Sequence, residues 1–282
     1  MSMKPINLQC LPASDWALQS IQECFSHDEI DLRDINYLIK QDPVLLANFM
    51  HSVNLIFTQK NRPVVNTLSS AINLLGIEQL KNILLSIDSI KRHKFSIDKI
   101  MLCELIRDRI TMAAHITEYW ADYMGEQASE ELFCASMYTG LNDIAKCMNT
   151  NTVNDSFNVV IDCEDINSIL SVYQFEDQYI DQLPDSIQQI HSHSTFSNRL
   201  KLSILVYQLL SAIELGYSTP AFHERLIQVS DFIGISEYRA SYDTAQCMVR
   251  VDKESIHKTF YFSQFLLSAN NEPLNPLQRS RH

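Results

Sequence analysis

The sequence predicts an all-α protein, and three observations support that prediction. Apolar residues recur at spacings of three and four along most of the chain, as they do on one face of a helix. No segment shows a sustained alternation of apolar and polar residues. The 282-residue chain has only five glycines, which is few for a fold built on tight turns. With 46% hydrophobic residues, it can bury a large core without disulfides or a metal.

The first helical patterns lie between residues 32 and 63. Apolar residues spaced along 32–39 predict one helix. Asp42 and Pro43 predict the start of the next, because Asp caps a helix and Pro fits its first position. Asn54 is expected to cap the end of that helix. Residues 56–63 are then predicted to form a loop that ends at a helix-blocking proline.

The central patterns predict four more helices in order. A short helix is expected over 67–75, with Gly76 as its left-handed C-terminal cap. Residues 77–87 continue as an amphipathic helix. A long helix is predicted over 98–124, and a single helix over 130–148.

The patterns after residue 183 are also helical. One helix is expected to begin at Pro184, and a long apolar one spans 196–215. The next is predicted to start at Pro220 and to end at Gly234. Residues 237–269 are predicted to form one further helix or two.

Charge argues against nucleic-acid binding, because the formal net charge is −12 and such proteins neutralise phosphates with clustered Lys and Arg. The basic run 91–94 follows a helical pattern, so it fits the negative end of a helix dipole, with a phosphate site as the alternative. Residues 147–198 contain eight acidic residues and neither Lys nor Arg. This stretch is either a solvated face or a docking surface for a basic partner.

Cysteine usage indicates a reduced, cytoplasmic chain. The seven cysteines include no pair at CxxC spacing, and several fall in apolar stretches, where Cys acts as a small core residue. No signal-peptide core is apparent, and no apolar run is long enough to predict membrane insertion. The polar tail, 271–282, is expected to be disordered.

Four stretches together resemble an HDOD domain over roughly residues 15 to 215. They are LIKQDPVLLANFMHSVNLIF, VVNTLSSAINLLGIEQLKNILLSI, TGLNDIA and LPDSIQQIHSHS. The residues of the first two stretches that carry the resemblance are Asp42, Pro43, Leu45, Leu46, Asn54, Ala71, Ile72, Leu75 and Gly76.

This resemblance implies a multi-helix bundle related to HD-type metal-dependent phosphohydrolases. It implies an N-terminal helical lobe over 1–95 and a degenerate HD-like bundle over 96–270. Because the junction between them is short, the two are expected to pack into one body. The HD enzymes hold one or two divalent metals with a His, a His-Asp pair and a distant Asp, and the metal activates water against a phosphoryl group. HDOD domains serve bacterial signalling rather than hydrolysis.

The chain departs from the ligand pattern of the HD enzymes at the adjacent His-Asp pair. Asn142 stands where the family of enzymes has His, and Asp143 keeps the acid. Asp108 lies near the expected position of the upstream ligand. These three residues define a relic pocket, whose further candidate ligands are His115, His191 and His193. On purely structural grounds, Asp143 is instead expected to bond a backbone group or a nearby Arg or His, and the histidines to be ordinary helix or junction residues.

The function expected from this resemblance is a non-catalytic signal-transduction module that binds a protein partner or a small ligand. No cofactor is expected. The alternative is a phosphohydrolase with an atypical site that uses a divalent metal such as Mn, Fe or Mg. Walker, GxGxxG, GxSxG and HExxH motifs are absent, as is the Gly-Tyr-Pro motif of cyclic-di-GMP phosphodiesterases. The sequence leaves the oligomeric state open.

Overall fold

The computed structural model describes residues 11–27, 29–87, 96–126, 129–149, 195–214, 216, 219–255 and 258–266. Within these ranges the chain forms helices and no strand, which confirms the all-α prediction. The helices are α1 (Asp15–Cys24), α2 (Leu32–Lys40), α3 (Pro43–Gln59), α4 (Leu68–Leu75), α5 (Ile77–Leu85), α6 (Ile97–Tyr123), α7 (Ser129–Thr139), α8 (Leu141–Asn149), α9 (Thr195–Ile213), α10 (Pro220–Ile233), α11 (Glu237–Glu254) and α12 (Ser263–Leu266).

The start of α3 follows directly from its sequence. Asp42 Oδ1 accepts hydrogen bonds from the backbone N–H groups of Val44 and Leu45 at 2.8 and 2.9 Å. Pro43 occupies the first turn, where its missing N–H costs nothing. The predicted cap is therefore confirmed, and α3 is buried along most of its length.

Two predictions at the other end of α3 were wrong. The helix continues to Gln59, so Asn54 lies inside it rather than at its end, and the predicted loop loses residues 56–59. The Asn54 side chain instead pairs with the backbone of Val65, donating to its carbonyl at 3.1 Å and accepting from its N–H at 2.9 Å. These bonds fix the following loop against the helix, and the helix needs no cap at this point.

The junction of α4 and α5 is also different from the prediction. Gly76 does have a positive φ of 77°, but its ψ of 160° is extended rather than left-handed helical. It separates two helices without an intervening loop, since it is the C-cap of α4 and the N-cap of α5. A residue with a Cβ would be strained at this φ.

The central helix of the molecule is α6, which confirms the long helix predicted over 98–124. Residues on all its sides are buried from Leu102 to Thr117, because α7, α8, α9 and α11 all pack against it. The largest fully buried side chain is Trp120, near its C-terminal end.

The predicted single helix over 130–148 is divided into α7 and α8 at Gly140. A Cβ built at Gly140 would lie 2.7 Å from Ile110 Cδ1 and 2.7 Å from Tyr207 Cε2. Glycine is therefore needed so that this backbone can approach α6 and α9. The close approach places the start of α8 deep in the core, where Leu141 is fully buried.

The C-terminal part begins with α9, whose bounds agree with the helix predicted over 196–215. Helix α10 starts at Pro220 and ends at Gly234 in a left-handed conformation, as predicted. The region 237–269 yields two helices, because α11 ends at Glu254 and α12 begins at Ser263. The helix predicted from Pro184 lies outside the described residues.

The N-terminal helices and the later bundle pack together, as expected. Arg107 of α6 contacts Asp42 at 2.7 Å, and Lys40 of α2 lies 3.5 Å from Glu118 of α6. Tyr37 of α2 donates a hydrogen bond to the backbone carbonyl of Glu254. The boundary at 95 and the tail after 270 lie outside the described residues and stay predictions.

Within the described part of the chain, no helix combines the length and the apolar character that a bilayer crossing demands.

Candidate functional site: buried ions around Asp143

Asp143 lies in the first turn of α8 and is only 4% exposed. Its Oδ2 accepts a hydrogen bond of 2.6 Å from the hydroxyl of Tyr207 on α9. Tyr207 is itself buried, so this bond is shielded from water on both sides. The acid that remains from the His-Asp pattern is thus bound to a neighbouring helix by a tyrosine.

A buried ion pair between Arg109 and Glu214 contacts that tyrosine. Arg109 of α6 donates from Nε to Glu214 Oε1 and from Nη2 to Glu214 Oε2, both at 2.6 Å. Its Nη1 donates to the Tyr207 hydroxyl at 3.4 Å, and its guanidinium carbon lies 5.5 Å from the centre of the Tyr207 ring. Arg109, Glu214, Tyr207 and Asp143 together form one chain of contacts, called here the Asp143 network.

Burial opposes the charge on Arg109, but Glu214, Tyr207 and Asp143 together outweigh that effect and raise the pKa of the guanidinium above its usual range. Burial also raises the pKa of Glu214, and Arg109 only partly offsets this. For Tyr207, burial and then the Asp143 carboxylate raise the pKa well above the ordinary value. The tyrosine therefore stays protonated near neutral pH and acts as a donor to Asp143.

A second arginine on α6 joins the N-terminal helices to the bundle. Arg107 Nη1 donates to Asp42 Oδ2 at 2.7 Å, and its Nη2 donates to the carbonyl of Pro12 at 2.6 Å. Asp42 Oδ2 also accepts from the N–H of Ser14 at 2.8 Å. The Asp-Pro motif of the HDOD resemblance thus caps α3 and holds the two parts of the molecule together.

Asp108, between the two arginines, holds the C-terminal segment. Its Oδ2 accepts from the N–H groups of Phe260 and Thr259 at 2.8 and 3.1 Å. Burial raises its pKa to about 8, although Lys258 and the two N–H donors favour the charged form. The same segment is held a second time by the Asp252 carboxylate, which accepts from Lys258 at 2.9 Å.

Four of the predicted ligands, Asn142, Asp143, Asp108 and His115, lie in described residues. Asp143 and Asp108 have different partners on different elements, and Asn142 is buried beside Asp143. His115 Nδ1 lies 3.8 Å from Glu118 Oε2, and its ring packs on that of Phe133. The residue is a partly exposed member of helix α6. His191 and His193 fall outside the described residues. Among the residues that are described, no three His, Cys, Asp or Glu side chains form a group able to hold a metal ion.

The residues around Asp143 do not fit the divalent metal of the HD enzymes. An Asn oxygen is a weaker ligand for transition metals than imidazole. One oxygen of Asp143 is occupied by a tyrosine proton, and the Arg109 guanidinium lies next to that tyrosine. A metal ion here would have to displace the tyrosine and tolerate the arginine charge at short range. The relic pocket remains a prediction, but its one clear acid already has a protein partner.

Sequence reasoning missed Arg109, Tyr207 and Glu214. A signal for one of them exists: Glu214 is an isolated charge at the end of a strongly apolar stretch, whereas Arg109 follows Arg107 and Asp108 in a charged run. A charged residue in the position of Glu214 is buried only when paired, so it suggests a basic partner without saying which one. The tyrosine gives no comparable signal, because buried tyrosines are common in cores.

The fold and this site together define a class of protein: an all-α bundle in which a buried tyrosine binds Asp143. Comparison with family models identifies the family. The HDOD domain model matches residues 11–186, which is more than half of the chain, and the chain therefore belongs to the HDOD family.

One solved structure supports the fold independently. The chain is similar to the crystal structure of the MmoQ response regulator from Methylococcus capsulatus str. Bath, with a TM-score of 0.60 and 15% sequence identity. The similarity covers 83% of this chain and 98% of that one. At this identity the comparison shows a shared fold. A comparison with curated proteins found no match.

Proposed function

We propose that this chain is a non-catalytic signalling module of the cytoplasm that acts by binding a protein partner or a small ligand. Membership of the HDOD family and the fold shared with a response regulator support a role in signalling. The net charge of −12 favours a basic partner over nucleic acid.

The observation that carries this proposal is the 2.6 Å hydrogen bond from Tyr207 to Asp143. A metal-dependent phosphohydrolase needs its carboxylates free to bind the ion and arranged within about 2.0–2.6 Å of it. Here the acid is part of a buried network whose positive charge comes from Arg109. Such a network stabilises one arrangement of α6, α8 and α9, which suits a recognition module.

The alternative is a phosphohydrolase with an atypical site at Asp143. It would need further ligands from outside the described residues, where His191 and His193 lie. It would also need Tyr207 to release the carboxylate.

Metal uptake coupled to hydrolysis distinguishes the two functions. The purified protein is exposed to manganese, iron and zinc in turn, desalted, and analysed for metal content and for hydrolysis of bis-p-nitrophenyl phosphate. We expect sub-stoichiometric metal and no turnover. We expect the same from Asn142→His, because restoring the imidazole does not release Asp143 from Tyr207.

One or two bound metal ions together with turnover would establish the alternative, provided that both disappear in Asp143→Ala. Asp122→Ala is the matched control, since this acid lies exposed near the end of α6. Loss of metal in the control as well would indicate binding at surface carboxylates.

A further inference from the structure

Two cysteines that are far apart in sequence meet in the core beside the Asp143 network. Cys103 on α6 and Cys147 on α8 have their sulfur atoms 3.3 Å apart. Both are buried, with 3% and 1% of their surface exposed. They are separated by 44 positions, so no short-spacing motif reveals them.

The two thiols are not equivalent. The S–H group of Cys103 donates to the Cys147 sulfur, and this bond lowers the pKa of Cys147 against the opposing effect of burial, with help from the charge of Lys99. The same bond and burial raise the pKa of Cys103. Of the two thiols, Cys147 is therefore the one that deprotonates more readily.

The other described cysteines have the opposite character. Burial raises the pKa of Cys24 and of Cys247, and it raises the pKa of Cys134 to about 12. Since the thiolate is the reactive form, these three are expected to be inert. Cys147 differs from them because a second thiol lies within hydrogen-bonding distance.

We propose that Cys103 and Cys147 form a reversible redox-modification site, at which a hydroperoxide converts the dithiol into a disulfide that joins α6 to α8. Hydrogen peroxide is the simplest oxidant of this class, and it is small enough to reach a buried sulfur during local opening. Cys147 is in the last turn of α8, and the ends of helices open more readily than their centres.

The reaction balances in two steps. The Cys147 thiolate attacks one oxygen of hydrogen peroxide, the O–O bond breaks, and sulfenic acid and hydroxide form. The Cys103 sulfur then attacks the Cys147 sulfur, the S–O bond breaks, and the released hydroxide takes the Cys103 proton as water. Over both steps two thiols lose two electrons and two protons, and one peroxide becomes two waters.

The two sulfur atoms lie in contact, although not yet at bonding distance. A disulfide requires the two sulfurs to approach by about 1.3 Å, to near 2.05 Å. Cys147 lies one helical turn beyond Asp143, and Cys103 lies one turn before Arg107. The disulfide would thus lock α8 on α6 beside both buried arginine contacts.

Peroxide treatment of the full chain tests this proposal. After oxidation, quenching and alkylation under denaturing conditions, we expect five free thiols in place of the seven in the sequence. Peptide mass spectrometry should show Cys103 joined to Cys147, and dithiothreitol should restore both thiols. The melting temperature should rise by about 5 °C on oxidation, because the bond closes a long loop.

Variants separate the pair from other thiols. In Cys103→Ser we expect Cys147 to stop at the sulfenic acid, trapped by dimedone, with no disulfide. Cys134→Ser is the matched control, since it is equally buried, and it should oxidise like the wild type. Seven thiols surviving in the wild type, or a disulfide made by other cysteines in place of this pair, would overturn the proposal, and neither outcome depends on a variant folding.

Discussion

Arg107 and Arg109 are two residues apart on α6, yet they stabilise different regions of the molecule. Arg107 reaches the N-terminal helices, where Asp42 accepts a hydrogen bond from its guanidinium and three more from backbone N–H groups. Arg109 lies on the opposite side of α6 and donates two hydrogen bonds to Glu214 within the Asp143 network. Successive residues on a helix are about 100° apart, so positions 107 and 109 lie on nearly opposite sides.

The difference between these regions lies in what surrounds each carboxylate. Asp42 combines an ion pair with helix capping, so its loss affects the start of α3 and the junction between lobes at once. Among the described residues, the Glu214 carboxylate accepts two hydrogen bonds from the Arg109 side chain, which also donates to Tyr207. A carboxylate with several backbone donors should therefore matter more than one with a single side-chain partner.

The largest effect is expected from Asp42→Ala. The change leaves Arg107 buried without its carboxylate and removes the cap of α3, so we expect a loss of about 4 kcal/mol in the free energy of unfolding. Urea denaturation followed by circular dichroism measures this loss. Asp42→Asn should lose less, because an amide oxygen can still cap the helix.

Asp31→Ala is the control for Asp42→Ala, since Asp31 also caps a helix and contacts an arginine but does so at the surface. We expect its loss to be clearly smaller. Equal losses for the two variants would mean that burial of the Arg107 contact adds nothing.

A smaller effect, of about 3 kcal/mol, is expected from Glu214→Leu, which leaves the Arg109 charge buried without a carboxylate partner. The double variant Arg109→Met/Glu214→Leu should recover most of this loss, because replacing both charges with apolar groups removes the unpaired ion. A double-mutant cycle on urea midpoints gives the coupling. Additive losses in the double variant would contradict the Asp143 network.

The smallest expected effect, a change in the free energy of unfolding over one pH unit, comes from Asp108, which lies between the two arginines. Its pKa is raised to about 8 by burial, while an unfolded chain gives an Asp its ordinary value near 4. The protonated native carboxyl therefore contributes stability below about pH 4, and this contribution is lost as pH rises through about 8. Between pH 6 and 7 the loss should be about 1.4 kcal/mol.

Asp108→Asn should remove this pH dependence, since its amide oxygen can accept the same two N–H groups without titrating. The measurement is the difference in unfolding free energy between variant and wild type at several pH values. The exposed Asp122→Asn provides the control. A difference that stays constant from pH 5 to 9 would show that Asp108 is already ionised in the fold.

The contrast between the two arginines also shows what a sequence can reveal. The Asp42 cap is local, because the donor groups follow it within three residues, and Asp-Pro before an apolar run is enough to predict it. The partner of Asp42 is 65 positions away, and the partner of Arg109 is 105 positions away. Contacts of that range depend on how helices pack, and hydrophobic periodicity carries no information about which polar groups will meet.

The same limit explains the errors in the helix boundaries. Asn54 is a residue type that is common at helix ends. Its side chain instead forms hydrogen bonds with the loop backbone 11 residues later, and the helix continues. The residues of α7 and α8 share one continuous apolar periodicity, yet the helix breaks because α6 and α9 lie too close. The Asn142-Asp143 pair could be read directly from the sequence, whereas the tyrosine that binds Asp143 could not.

The glycine between α7 and α8 has a consequence for how this protein can vary among its relatives. At position 140 the side chain is a single hydrogen because Ile110 and Tyr207 occupy the space that a methyl group would need. A larger residue could be accommodated only if one of those neighbours became smaller, and a smaller residue at 207 would also leave Asp143 without its hydroxyl donor. The three positions should therefore covary, so a relative without this glycine is expected to lack the tyrosine or to carry a smaller residue at position 110.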